Sequence, residues 1–204
     1  MEMNKTKQKI LDVSLEMFAH RGFSAVSIRD ICKKVNIKES SIYYHFKNKN
    51  AIFEELLEKF EYTANKKMQQ LNNAINKGFN VEGNIFQNVS EIFFEQYLMD
   101  NFCNSFIRLM YIEQFNNEEI REVYNKWLYD EPLTFQSKIF KILMDMGIIS
   151  SNDSEYMAVK YYSPIFLYFQ RYLLSGELTE DNKQQFREKA YNHINKFFVE
   201  SGVK

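Results

Sequence analysis

Apolar residues recur along this chain at spacings of three and four almost from end to end, a period that predicts helices throughout. Ile10, Leu11, Ser14, Leu15 and Phe18 share one face of a helix over residues 7–20, and Gly22 falls where a left-handed residue closes a helix. Ser27 followed by Asp30 forms a capping box, and Ile28, Ile31 and Val35 make one face behind it. Asn36 tolerates the left-handed backbone and turns the chain. Ile42 and Phe46, four apart, bury one side of a short helix over residues 38–46. Asn48 then offers an N-cap for a long helix over 48–77, whose inner stripe includes Ile52, Leu56, Phe60, Ala64 and Leu71. Gly78 and Gly83 punctuate its end. Further helices are predicted over 83–99, 102–113, 117–146, 153–174 and 179–200. Pro132 and Pro164 should kink or interrupt two of them, because proline cannot bond to the preceding turn. Six glycines and two prolines among 204 residues suit an all-α fold and argue against a sheet protein with many turns.

Residues 27–49 stand apart from this scheme. Once Ile42 and Phe46 are turned inward, Lys38, Glu39, Ser40, Ser41, Tyr43 and Tyr44 are left facing outward. Hydroxyls there can bond phosphates or base edges, and aromatic rings can pack on thymine methyls. Lys49 sits at a helix N-terminus, where free N–H groups and the dipole attract an anion. A short amphipathic helix with exposed tyrosines is the plainer reading of the same pattern. Charge favours DNA. The net charge of −1 hides +5 on residues 1–50 and −6 on the remainder, a basic head on an acidic body.

Two strings, ILDVSLEMFAHRGFSAVSIRDIC at 10–32 and SSIYYHFKNKNAIFEEL at 40–56, make residues 7–57 resemble the N-terminal domain of the TetR family of bacterial transcriptional regulators. Tyr43, His45, Phe46 and Lys49 stand at that family's Y-x-H-F-x-x-K signature. The chain departs from the family where Asn36 and Ser40 replace glycine and where Lys38 replaces serine, which removes an N-cap from the recognition helix. The resemblance implies an N-terminal three-helix helix-turn-helix DNA-binding domain over 1–50 and a helical ligand-binding and dimerisation domain over 51–204. It also implies a cytoplasmic homodimer on a double-stranded DNA operator. The candidate DNA contacts are Ser27, Lys38, Glu39, Ser40, Ser41, Tyr43, Tyr44, His45 and Lys49. Beyond residue 57 the likeness is one of size and helix count only.

Aromatic residues crowd the middle of the chain, with 21 of the 33 between residues 79 and 174. A bulky core explains any one of them. As a cluster, Phe93, Phe94, Tyr97, Phe106, Met110, Trp127, Tyr162, Phe166 and Phe169 are candidates to line a pocket for a small apolar or aromatic effector, since such pockets are mostly apolar. Residues 157–174 carry only two charges, Lys160 and Arg171, and a helix apolar all round must be covered on all sides. Tyr161, Ile165, Tyr168 and Tyr172, with Phe186, Ala190, Ile194 and Phe197 on the last helix, are therefore candidates for a homodimer interface. A monomer with a thick core is the alternative.

No chemistry beyond binding is indicated. His20, His45 and His193 are dispersed and lack the partners a zinc site needs, and no phosphate loop or nucleophile elbow appears. No cofactor, metal or catalytic residue is expected. Glu54, Glu55, Glu58 and Glu61 read as a solvated face, and Cys32 as a buried, reduced packing residue, with a redox switch as the lesser reading. No apolar run is long enough to span a bilayer, and no N-terminal signal segment is evident, so neither a membrane partner nor export is expected. The function expected is a repressor released from a palindromic operator by a small ligand. The competing expectation is a DNA-binding protein of the same fold that has no ligand and is controlled by a protein partner, with Phe115, Trp127 and Tyr129 as a peripheral apolar patch, or that acts as an activator.

Overall fold

The computed structural model describes residues 5–76 and 89–202, and every regular element among them is helical. Helix α1 spans Lys5–Arg21, α2 Ile28–Val35, α3 Glu39–Ile42 and α4 Lys49–Asn76. Next come α5, a π-helical Glu91–Leu98, and α6, Asn101–Glu113. Helix α7, Glu118–Asn125, runs into a π-helical stretch at Lys126–Asp130, and α8 covers Glu131–Asp145. Helix α9, Ser154–Tyr168, likewise continues as a π-helical Phe169–Leu174, and α10 covers Glu180–Glu200. The segment predicted to begin at Gly83 lies partly outside the described residues, as do Gly78 and Phe86. No described helix is long and apolar enough to cross a membrane.

The helix boundaries follow local chemistry. Ser27 and Asp30 form the capping box of α2, and Asn36 ends that helix at φ 63°. The Asn48 side chain accepts from the Ala51 amide at 2.9 Å, which caps α4. Asp153 and Thr179 cap α9 and α10. Pro132 enters the first turn of α8, where a missing N–H costs nothing. The interruption expected from it appears just upstream, as the π-helical stretch. Pro164, by contrast, is carried inside α9 without ending it.

The chain forms two compact units. The first combines residues 1–66 with 102–124, and the second combines 67–101 with 125–204. Helix α4 runs unbroken through residue 50. Phe106 of α6, moreover, stacks on Phe60 at 4.8 Å and on Phe53 at 6.0 Å. The core of the first unit includes Ile10, Phe18, Ile31, Ile42, Ile52, Phe60 and Phe106. In the second unit, α8, α9 and α10 pack around Phe140, Tyr161, Ile165, Phe186 and Phe197.

Candidate nucleic-acid interface

The reading surface begins with how α3 is held. Its apolar anchor Ile42 is fully buried and Phe46 nearly so, while Lys38, Glu39, Ser40 and Ser41 are exposed. Tyr44 is 85% exposed and Tyr43 53% exposed, so both rings are presented to solvent rather than used for packing. The Tyr44 ring meets the edge of half-buried His45 at 5.2 Å. Expected over 38–46, the helix is regular only over Glu39–Ile42. Lys38 occupies the N-cap with no side-chain bond to the helix, the physical consequence of losing a capping hydroxyl. Residues 43–45 continue as a turn, with the His45 and Phe46 amides both donating to the Ile42 carbonyl at 2.9 Å.

Glu39 is paired with Arg29 of α2 at 3.0 Å, which ties the two helices of the motif. Ser27, placed among the DNA contacts, spends its hydroxyl and amide on the Asp30 carboxylate, and those bonds hold that carboxyl below its ordinary range. Lys49 is also committed within the fold. Its ammonium donates to the carbonyls of Phe23 and Val26, each at 2.7 Å, and lies 4.2 Å from the centroid of the Phe23 ring. Burial pulls its pKa below the usual lysine value, and the attraction of Glu113 partly restores it. Lys7 pairs with Glu55, and Lys9 donates to the Val35 carbonyl. The basic residues left exposed beside α3 in sequence are Lys38 and Lys47. Lys47 is absent from the sequence-predicted set, although its place between the buried Phe46 and the cap of α4 is a readable signal.

The candidate effector residues fall into two groups. Phe106 and Met110 belong to the first unit and are packed in its core. Phe93, Phe94, Tyr97, Trp127, Tyr162, Phe166 and Phe169 belong to the second. Phe93 there lies 5.8 Å from Tyr97 and 6.1 Å from Tyr162, and Phe166 lies 6.0 Å from Tyr162 and 6.2 Å from Phe169. The Tyr162 hydroxyl donates to the Leu128 carbonyl at 2.9 Å, within the π-helical stretch that carries Trp127. Trp127 is 3% exposed, whereas Phe115 is exposed and Tyr129 half-exposed.

The candidate interface residues divide by exposure. Tyr161, Ile165, Phe186, Ala190, Ile194 and Phe197 are buried within the protomer. The Tyr161 ring contacts those of Phe140 and Phe197 at 5.6 and 5.3 Å, and Phe186 meets Phe94 edge-on at 5.1 Å. These residues complete the fold of one chain, and only Tyr168 and Tyr172 remain half-exposed. The outward face of α9 is instead formed by Tyr156, Val159, Ser163 and Leu167, with Val199 exposed on α10. Cys32 is buried, and burial raises its thiol pKa, which fits a reduced packing residue.

Residues 10–56 match the model of the family described as "Bacterial regulatory proteins, tetR family". The negative transcriptional regulator IcaR of the icaADBC biofilm operon from Staphylococcus aureus strain Newman is 24% identical over 199 residues, covering 94% of this chain and 98% of IcaR. A TetR-family regulator from Mesorhizobium loti shares the fold, with a TM-score of 0.64, 16% identity and 98% of each chain covered. So does SmeT in complex with triclosan, with a TM-score of 0.62, 15% identity, and 95% of this chain and 91% of SmeT covered. SmeT represses the multidrug efflux pump SmeDEF of Stenotrophomonas maltophilia.

Proposed function

Since this chain belongs to the TetR family of bacterial transcriptional regulators, we propose that it is a repressor that binds a palindromic operator as a homodimer and is released by a small apolar or aromatic effector. The observation that carries the DNA reading is the contrast across α3. Ile42 is fully buried, while Tyr44 is 85% exposed on a segment that also presents Ser40 and Ser41. Two such segments related by a twofold axis would enter successive major grooves about 34 Å apart. Tyr43, Tyr44, Ser40 and Ser41 would meet base edges or nearby phosphates, and Lys38, Lys47 and His45 would take phosphates. Glu39 stays on Arg29, and Lys49 serves the fold of the head.

Repression as the sign of regulation is supported by IcaR, a negative regulator matched along nearly its whole length. An effector is supported by two facts. SmeT, which has the same fold, forms a complex with triclosan. The Trp127 indole N–H, buried on a π-helical stretch, has no hydrogen-bond partner among the described residues, and an acceptor on a bound effector would satisfy it. The outward face of α9, from Tyr156 to Leu167, would form the twofold interface.

The test is a pull-down of genomic DNA fragments with the purified protein at moderate salt, followed by sequencing. A few short palindromic sites are expected. A folded protein that enriches none of them would overturn the reading.

A further inference from the structure

Glu113 is the one charged side chain that is buried among the described residues, at 5% exposure. It is also the last residue of α6, where the negative end of the helix dipole disfavours a carboxylate. Its compensation comes from the loop between α1 and α2. The Ser24 amide donates to Glu113 Oε1 at 3.4 Å, and the charge of Lys49 attracts the carboxylate. The approach is close enough to dictate a residue. A β-carbon on Gly22 would stand 2.7 Å from Glu113 Oε1 and 3.2 Å from Ile112 Cγ2, and Gly22 also has φ +79°. The loop is gripped from its other side by Lys49, which holds the Phe23 and Val26 carbonyls. Ser27, the cap of α2, follows immediately, and α2 is tied to α3 by Arg29 and Glu39.

A buried carboxylate is costly unless it is closely paired and hydrogen-bonded, and the Ser24 amide reaches this one only at 3.4 Å, so folding alone does not explain the acid. Residues 102–124 leave the second unit after Asn101 and rejoin it at Asn125, and Glu113 lies on that excursion. We propose that Glu113 is a positioning residue: its carboxylate seats the α1–α2 loop, and with it the start of α2, in the placement that DNA binding requires. The inference rests on the DNA-binding reading above.

The test uses full-length Glu113→Gln, which keeps the volume and removes the charge. Its affinity is measured by anisotropy on the DNA site selected by the wild type, at several salt concentrations, alongside amide exchange of residues 22–28. Specific affinity should fall about tenfold, within the usual span for coupling between sites. The salt slope should stay unchanged, because Glu113 neutralises no phosphate, and exchange at 22–28 should accelerate. A merely structural role would lower the thermal midpoint without this local exchange signature. Gly22→Ala combined with Glu113→Ala should lose less affinity than the two single losses together, because removing the carboxylate clears space for the new β-carbon. Should the glutamine form fail to fold, Glu113→Asp, one methylene too short to reach Ser24, gives the same readouts. Wild-type affinity and protection in a folded variant would overturn the proposal. A wild type that binds no DNA would instead overturn the regulator reading, and the exchange measurement would still decide the contact.

Discussion

Both compact units pack rings on rings, Phe106 on Phe60 and Phe53 in the first, but they differ in emphasis. In the first, polar side chains also grip backbone. Lys49 holds two carbonyls, Ser27 and Asp30 exchange bonds at the start of α2, and Glu113 closes on the Gly22 loop. In the second, rings pack on rings. Phe94 sits between Phe186 and Tyr191, Tyr161 between Phe140 and Phe197, and three stretches depart from α-helical to π-helical bonding. Directional bonds to backbone fix a loop closely at little cost in bulk, which suits a small head that must present a four-residue helix. Ring packing supplies more burial per residue, and π-helical stretches recur where helices serve a function beyond packing.

The contrast is broken most forcefully in the second unit. Phe197→Ala should destabilise the protein by about 3–5 kcal/mol, the usual cost of deleting a core ring. The dimer itself should persist in the folded variant. If Phe197 instead lay between protomers, the variant would also lose its dimer in analytical ultracentrifugation. Leu167→Glu, on the outward face of α9, should do the reverse: it should leave the protomer's stability within about 0.5 kcal/mol and abolish the dimer in analytical ultracentrifugation. A dimeric Leu167→Glu protein would remove that face from the interface.

Why one unit was legible and the other less so follows from the same contrast. In the head, apolar and polar residues alternate at helical spacing. Ile42 and Phe46 could therefore be assigned inward and Tyr43 and Tyr44 outward, as the structure has them. Along α9 nearly every position is apolar or tyrosine, so periodicity cannot say which face meets the chain's own helices. Tyr161 and Ile165 turned inward, while Tyr156, Val159 and Leu167 turned out. Phe106 and Trp127 look alike in sequence as bulky rings in a rich region, yet they fall in different units. The bonds of Lys49 were hidden for another reason. Its position at a helix N-terminus was visible, but the carbonyls of Phe23 and Val26 that capture it come from a loop more than 20 residues earlier.

On the head, effects on DNA should exceed effects on stability. Tyr44→Ala should weaken specific binding by about 1–3 kcal/mol, the range for a side chain that discriminates bases, with little change in the unfolding midpoint because the ring is exposed. Equal losses on specific and random DNA would exclude a base contact. Lys47→Ala should weaken all sequences alike and flatten the dependence of log K on log salt by about 0.9, the release of counterions from one phosphate. A slope that flattens with Lys49→Ala and not with Lys47→Ala would reverse the assignment of those two lysines.

The smallest expected effect probes the grip on backbone itself. Ser27→Ala removes the cap of α2 and should cost about 0.5–2 kcal/mol, and Asp30→Asn should weaken the same box from its other side. The acid dependence of the second variant separates charge from shape. The hydroxyl and amide of Ser27 favour the ionised Asp30, so its folded pKa lies below the ordinary 3.8. The contribution of that charge is therefore complete above the ordinary value and is lost as pH falls through the lower, folded value. The stability difference between wild type and Asp30→Asn, read from urea midpoints, should be constant near neutrality and shrink as the solution is acidified below the ordinary carboxylate range. There both side chains are neutral and differ little in shape. A difference that persists undiminished in acid would mean that the carboxylate's charge contributes nothing to the box, and that the loop before α2 is held by Lys49 and the Glu113 contact instead.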